Sequence, residues 1–511
     1  MVATAHPLAA QAGLRILQKG GNAVDAAIAV AAMLTVVEPT SNGIGGDAFA
    51  LVWSQGQLHG LNASGPAPQH LTPAWIRSHG FSRMPAYGWG AVTVPGIPAA
   101  WASLHTRFGR LSLIDDLGPA IEVADQGHPV APTVAYFWCR AYDRYSQVLT
   151  APEFAEWFRV FAPGGHPPEA GAIWRAPDHA RTLEDIGQSH AESFYRGSLA
   201  ERIVDFSRCT GGVLTLEDLA DYEPEWVSPL AVSFHGYDVW ELPPNGQGLV
   251  ALMALKMLDG LVPVNDEERV HFQIEALKLA FEDAFCHLAD PRFMALPAET
   301  LLDDAYIASR RALIGQEAQP RVIDALHPGG TVYLATADGE GMMVSYIQSN
   351  YAGFGSGLVV PGTGIALQNR GQLFRLDDRH ANRLEPGKRP YHTIIPAFLT
   401  YQGHPVGPFG VMGGFMQPQG HVQVLSYLLE RTLNPQAALD APRFYWDAGN
   451  RVICEPHFSA TILEGLKRRG HDVHLASETG LFGRGEIIWR LPSGVYLGST
   501  EPRADGYIAA W

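Results

Sequence analysis

Charged residues are scarce. They make up 17% of the 511-residue chain, against a usual share of about 25%, while hydrophobic residues make up 47%. Disorder is thereby excluded as the main state, because the chain has ample apolar surface for a core. Basic residues are the scarcer sign. The net charge is −16 and no Lys/Arg stripe occurs, so a nucleic-acid partner is not expected. The short run Lys467-Arg468-Arg469 reads as a solvated helix end facing the negative dipole. Cysteine is rare as well: Cys139, Cys209, Cys286 and Cys454 are far apart, with no C-x-x-C pair to suggest zinc or a disulfide framework. Long hydrophobic runs are also missing near the N-terminus. Ala26 to Val37 spans only twelve residues between Asp25 and Glu38, too short for a bilayer and without the frame of a signal peptide. The expected location is therefore cytoplasmic, with no membrane partner.

Glycine and proline are plentiful, at 54 and 37 residues, which suits a compact protein with many tight loops. Ala9 to Val36 reads as two helices joined at Gly20-Gly21-Asn22. A glycine loop, Ser41 to Asp47, leads into a hairpin that turns at Gln55-Gly56. Residues 100–330 read as mostly helical, the clearest helix running from Val270 to Leu288 and stopping before Asp290-Pro291. Beyond residue 330 the texture becomes β-rich. Thr331–Thr336 and Met342–Gln348 flank a turn at 338–341, with further strands near Thr393–Leu399, Val406–Met412, Asp472–Leu475, Glu486–Arg490 and Val495–Gly498. Helices are expected from about Pro418 to Glu430 and over Ala460–Arg469. Helices before and after a run of strands imply sheets covered by helices on both outer faces.

Several familiar chemistries lack their motifs. Gly43-x-Gly45-x-x-Ala48 matches a dinucleotide fingerprint by letter, but it lies in a helix–loop–strand order with no acid between Asp47 and Asp115. There is no H-E-x-x-H, no G-x-S-x-G and no Walker loop, and neither a metal nor an organic cofactor is implied. The informative segment is His327-Pro-Gly-Gly-Thr331-Val, in which a hydroxyl residue opens a strand directly after two glycines. A threonine hydroxyl attacks amides when a base lies beside it, and the threonine's own α-amine serves as that base once the chain is cut before it. Such an amine titrates near 7.7–8.0, close to working pH. On this segment alone, a structural threonine after a Gly-Gly turn is the better explanation of the pattern.

Two features strengthen the chemical reading. Folding the hairpin brings Thr331 opposite Gln348 or Ser349. Gly413-Gly414 ends a strand just before a helix, where backbone N–H groups are free to meet a developing oxyanion.

With these motifs in place, the chain resembles the γ-glutamyltransferase (glutathione hydrolase) family of N-terminal-nucleophile hydrolases. The resemblance is carried by Gly20-Gly-Asn-Ala-Val-Asp-Ala-Ala, Gly43-Ile-Gly-Gly-Asp47, Thr331 with its strand, Phe354-Gly-Ser-Gly357, Pro361-Gly-Thr-Gly364, Pro386-Gly-Lys-Arg-Pro390 and Gly413-Gly414. It implies an α+β fold, a four-layer αββα sandwich. It also implies self-cleavage between Gly330 and Thr331 into a large chain, 1–330, and a small catalytic chain, 331–511, which stay together as a heterodimer. By the family pattern Thr331 is the nucleophile, Ser349 its hydroxyl neighbour, and Gly413 and Gly414 the oxyanion hole.

The glutamate-recognising positions depart from that pattern. The family's substrate-contacting asparagine falls at Tyr351, its glutamine at Arg370, its ammonium-holding acid at Leu373, and its serine pair at His392-Thr393; its large-chain arginine falls near Pro73. Only thirteen residues separate Phe374 from Lys388, so the lid loop of many relatives is shortened and water access favours hydrolysis over transfer. A buried ammonium without a counter-charge costs several kcal/mol, which disfavours α-amino acyl donors. Arg370 either forks onto a substrate carboxylate or forms a structural ion pair. Gln348-Ser349-x-Tyr351 and Gln368-Asn-Arg-Gly371 are similar to the oxamate amidohydrolase and cephalosporin-acylase-like branch. The expected activity is hydrolysis of γ-glutamyl or similar short carboxylate-bearing acyl amides. Oxamate or glutaryl amides are the alternative within the class, and an uncut binding protein is the alternative outside it.

Overall fold

The structure, a computed structural model, describes residues 1–321, 326 and 329–511. Two antiparallel sheets lie face to face. The first has seven strands in the order Tyr507–Ala509, Val2–Thr4, Gly330–Ala337, Met343–Tyr351, Asp47–Ser54, Gln57–Ala63, Glu225–Val227. The second has six, in the order Tyr496–Ser499, Gly485–Arg490, His404–Val411, Ala397–Tyr401, Tyr237–Glu241, Leu230–Phe234.

Side-chain alternation along these strands builds the layers. Val332 and Leu334 point outward into a core shared with the helices Pro7–Gln18 and Ala23–Val37. Tyr333, Ala335 and Ala337 point the other way, meeting Phe398, Met412 and Ile488 between the sheets. The helices Gly248–Leu258, Asp266–His287 and Met416–Leu425 cover the outer face of the second sheet, where Leu399, Phe409, Val411 and Ile487 join their core. Helix, sheet, sheet, helix: this is the expected αββα sandwich. The helix Ala23–Val37 is buried along its whole length, so its alanine-rich sequence needs no polar face, and Asn22 and Asp25 close its start as a capping box.

The N-terminal helix pair, the hairpin at Gln55-Gly56 and the two long strands after residue 330 lie where the sequence put them. The region 100–330 is mostly helical, as its sequence reads, but it also carries strands. It contributes Glu225–Val227 to the first sheet and Leu230–Phe234 and Tyr237–Glu241 to the second, the chain crossing between sheets at Ser228-Pro229. These short strands carry Glu225, Asp238 and Glu241, and their polar residues masked the β pattern. The helix expected to start near Pro418 begins at Met416 and ends in a π-helical turn over Ser426–Glu430.

Candidate active site

The site forms at one end of the gap between the sheets. Thr331 and Ser349 have the same parity as the inter-sheet residues Tyr333 and Ile347, so both turn inward. The strand pairing places Val332 opposite Gln348 and then slips by one residue before Gly330 meets Tyr351. This bulge breaks the ladder beside Ser349, a common device for aiming a side chain at a site. Of the two register choices the sequence left open, Thr331 faces Ser349, and their hydroxyls lie 3.3 Å apart.

In the continuous chain the hydroxyls converge on the Gly330–Thr331 peptide. Ser349 Oγ donates to the Gly330 carbonyl oxygen at 2.6 Å and accepts from the Tyr351 N–H at 2.7 Å. Thr331 Oγ lies 2.7 Å from the same carbonyl oxygen. The two hydroxyl residues are screened from water, with Thr331 1% exposed and Ser349 0%, while Gly330 is half-buried. Gly330 itself sits in a tight seat: a Cβ there would come within 3.1 Å of Ser41 Cα and 3.2 Å of the Gly353 nitrogen. His327 and Pro328, part of the motif before Thr331, lie outside the described residues.

The glycine pair lies across from this strand, at the end of His404–Val411 in the second sheet. Gly413 and Gly414 have φ of 125° and 62°, both in the region that favours glycine. A Cβ on Gly329 would lie 3.5 Å from the Gly414 nitrogen, so the pair borders the chain just before the Gly330–Thr331 peptide. The Gly413 carbonyl accepts from the Met416 N–H at 3.1 Å, anchoring the pair to the start of the following helix.

Beside the hydroxyls lies a buried polar cluster. Tyr351, at φ 76°, holds a strained backbone conformation for a bulky residue and presents its ring to the Arg370 guanidinium 4.8 Å away. Arg370 is fully buried. Its Nη1 donates to Thr393 Oγ1 at 2.6 Å, while Nε and Nη2 have no partner. Burial lowers its pKa to about 10, against the favourable charge of Asp47. His392 is likewise fully buried. Its Nδ1 accepts from the Ile394 N–H at 3.4 Å and its Nε2 meets Asp47 Oδ2 at 3.1 Å, an arrangement that suits the neutral Nε2–H tautomer. Burial first, then Arg370 and Arg389, hold the His392 pKa well below its ordinary value. Burial raises Asp47 to about 7, with Arg370 opposing.

Tyr351, Arg370, His392 and Thr393 are thus brought together, but the last three have no exposed surface. A cleft of about 1600 Å³ approaches them from outside, reaching Tyr351, Leu373 and Tyr391. Leu373, the residue at the position of the family's acid, stands on the cleft wall, where it offers an ammonium no counter-charge. Pro73, at the expected position of the carboxylate-clamping arginine, opens a short helix whose Arg77 lines the cleft and donates to the Leu376 carbonyl at 2.9 Å. The thirteen residues after Phe374 close on themselves through paired backbone bonds between Arg375 and both Asn382 and Leu384.

Asp47 was legible only as the end of a glycine loop. Its strand lies beside that of Ser349 and pairs Asp47 with it, a placement no local pattern reveals. Among the described residues two side-chain triads have metal-ligating atoms close together, His271/Glu275/His471 and Asp25/His105/Asp116. In the first, Lys278 Nζ already sits 2.7 Å from Glu275. No helix among the described residues is long and apolar enough to cross a membrane.

Comparison with known proteins agrees with this architecture. A family model described as Gamma-glutamyltranspeptidase matches residues 9–511. The chain is 36% identical to the Glutathione hydrolase-like YwrD proenzyme of Bacillus subtilis, over 99% of this chain and 97% of that protein. It is 33% identical to the oxamate amidohydrolase proenzyme of Klebsiella pneumoniae, over 100% and 98% respectively. The crystal structure of cephalosporin acylase from Bacillus halodurans superposes with a TM-score of 0.97 at 55% identity, covering 100% of this chain and 95% of that one.

Proposed function

Because the chain belongs to the γ-glutamyltranspeptidase family, and is an amidohydrolase of its acylase-like branch, we propose that it cuts itself before Thr331 and then uses Thr331 to hydrolyse acyl amides. The observation that carries this reading is the convergence of the Thr331 and Ser349 hydroxyls on the Gly330 carbonyl. Thr331 Oγ attacks the Gly330 carbonyl carbon and passes its proton to Ser349 Oγ. Ser349 in turn gives its proton to the carbonyl oxygen it already touches. The C–N bond then breaks as the proton on that oxygen passes to the Thr331 nitrogen, which restores the carbonyl and leaves an ester on Thr331 Oγ. Water then hydrolyses the ester, separating chain 1–330 from chain 331–511 and freeing the Thr331 amine.

In the cut enzyme that amine is the general base, and the attack is repeated on a bound amide. The backbone N–H groups at Gly413 and Gly414 take the oxyanion, the amine of the leaving group departs protonated, and water releases the acyl group. The short loop after Phe374 leaves the acyl-enzyme open to water, which favours hydrolysis over transfer to another amine.

The acyl group is a short one ending in a carboxylate. Support comes from Arg370: two guanidinium N–H groups left unpartnered in a buried site suit a carboxylate, which needs two parallel donors. Leu373 on the cleft wall argues against an α-ammonium on the same acyl group, so glutaryl-type amides fit better than γ-glutamyl ones. The capacious cleft beyond Tyr351 suits a leaving amine larger than ammonia, which ranks oxamate lower.

The experiment is intact-mass and N-terminal analysis of purified protein, beside Thr331→Ala. Wild type gives a fragment beginning at Thr331, and Thr331→Ala stays whole and inactive; a cut, active Thr331→Ala protein overturns the assignment. Turnover of a glutaryl anilide, γ-glutamyl-p-nitroanilide and oxamate then ranks the acyl groups.

A further inference from the structure

We propose that Gln247, a large-chain residue outside the groups assigned above, is a positioning residue that holds the glycine pair and the acyl pocket at a fixed separation. The inference rests on the reading of Gly413 and Gly414 as oxyanion donors. Gln247 is fully buried and immediately precedes the helix Gly248–Leu258. Its side-chain amide makes three bonds in three directions. Nε2 donates to the Gly414 carbonyl at 2.8 Å and to the Thr393 carbonyl at 2.7 Å. Oε1 accepts from the Tyr391 hydroxyl at 3.0 Å, and Tyr391 lines the cleft. The Gln247 backbone N–H adds a bond to the His392 carbonyl at 2.9 Å.

These contacts matter because glycine alone does not hold a conformation. The two peptide planes flanking the Gly414 Cα are each fixed by their carbonyl. The Met416 N–H holds that of Gly413 at 3.1 Å, and Gln247, with the Gln417 N–H at 3.2 Å, holds that of Gly414. The same Nε2 also grips the carbonyl of Thr393, whose hydroxyl receives Arg370. One planar group thus spans the place where negative charge develops and the residue that seats the acyl carboxylate. An amide saturated on both sides has no proton to exchange with substrate, so its effect runs through geometry. Oxyanion donors act mainly in the transition state, and misplacing them lowers kcat rather than substrate affinity.

The test compares Gln247→Met, close in shape but without polar atoms, and Gln247→Asn, which keeps the amide on a shorter stem. Both are assayed as the cut enzyme, with active sites counted by the acyl-enzyme burst. The expected result is a kcat per active site at least tenfold lower in Gln247→Met, with KM within about threefold of wild type, and an intermediate kcat in Gln247→Asn. A purely structural Gln247 would instead lower the melting temperature and the number of active sites while leaving kcat per site at the wild-type value. That outcome overturns the proposal, as does a change confined to KM. If wild type itself shows no burst and no Thr331 terminus, the underlying reading has failed rather than the role of Gln247.

Discussion

Ser349→Ala isolates one hydroxyl in the proposed self-cleavage step. In the continuous chain this hydroxyl donates at 2.6 Å to the Gly330 carbonyl and accepts at 2.7 Å from the Tyr351 N–H, while Thr331 Oγ lies 3.3 Å away. Its removal deletes a donor to the oxygen that becomes negative on attack, a loss worth about 2.7–4 kcal/mol, or roughly 10²–10³ in rate, where such donors have been removed elsewhere. It also breaks the route by which the Thr331 proton leaves. A second consequence concerns folding: the Tyr351 N–H, buried on a strained residue, loses its acceptor at a cost of about 1–3 kcal/mol. The assay is a time course of denaturing gels and intact mass after rapid purification, with thermal melting of the uncut species in parallel. Cutting should slow at least a hundredfold while the uncut protein melts a few degrees lower, and Ser349→Thr, which keeps a hydroxyl, should recover part of the rate. A folded Ser349→Ala chain that cuts at the wild-type rate would refute the hydroxyl relay.

Two further outcomes follow from the buried charges. Arg370→Met should raise KM for a carboxylate-ended acyl amide by about thirtyfold or more and leave an uncharged acyl amide nearly untouched, since charge-assisted hydrogen bonds contribute about 1.5–3 kcal/mol; equal losses on both substrates would contradict the carboxylate assignment. Asp116 is buried facing Asp25, and burial first, then the Asp25 charge, raises its pKa to about 9 from an ordinary 3.8. It therefore folds protonated, and its contribution to stability is full below about pH 3.8 and is lost as pH rises toward 9. Asp116→Asn should raise the melting temperature at pH 8 but not near pH 4, and a variant with the wild-type slope of stability against pH would show that Asp116 ionises normally in the fold.

Much of this protein was determined by local sequence. The Gly20-Gly21-Asn22 junction and the alanine-rich run after it marked the N-terminal helix pair, the Gln55-Gly56 turn marked one hairpin, and two glycines followed by a β-rich run marked Thr331 as the start of a strand. Such features depend on neighbours within a few residues, so a linear pattern contains them. The strands between Glu225 and Glu241 escaped that reading, because short, half-polar strands gain their stability from the sheets they join. The site was split the same way. Folding the hairpin narrowed the partner of Thr331 to Gln348 or Ser349, and only the register set by the turn, Ala337 opposite Met343 through Val332 opposite Gln348, selected Ser349. The contact of Asp47 with His392 joins residues 345 positions apart, and the bond of Gln247 to Gly414 joins residues 167 apart. No spacing rule reaches that far. Tertiary packing decided those contacts, because two sheets had to close face to face before any polar group between them could find its partner.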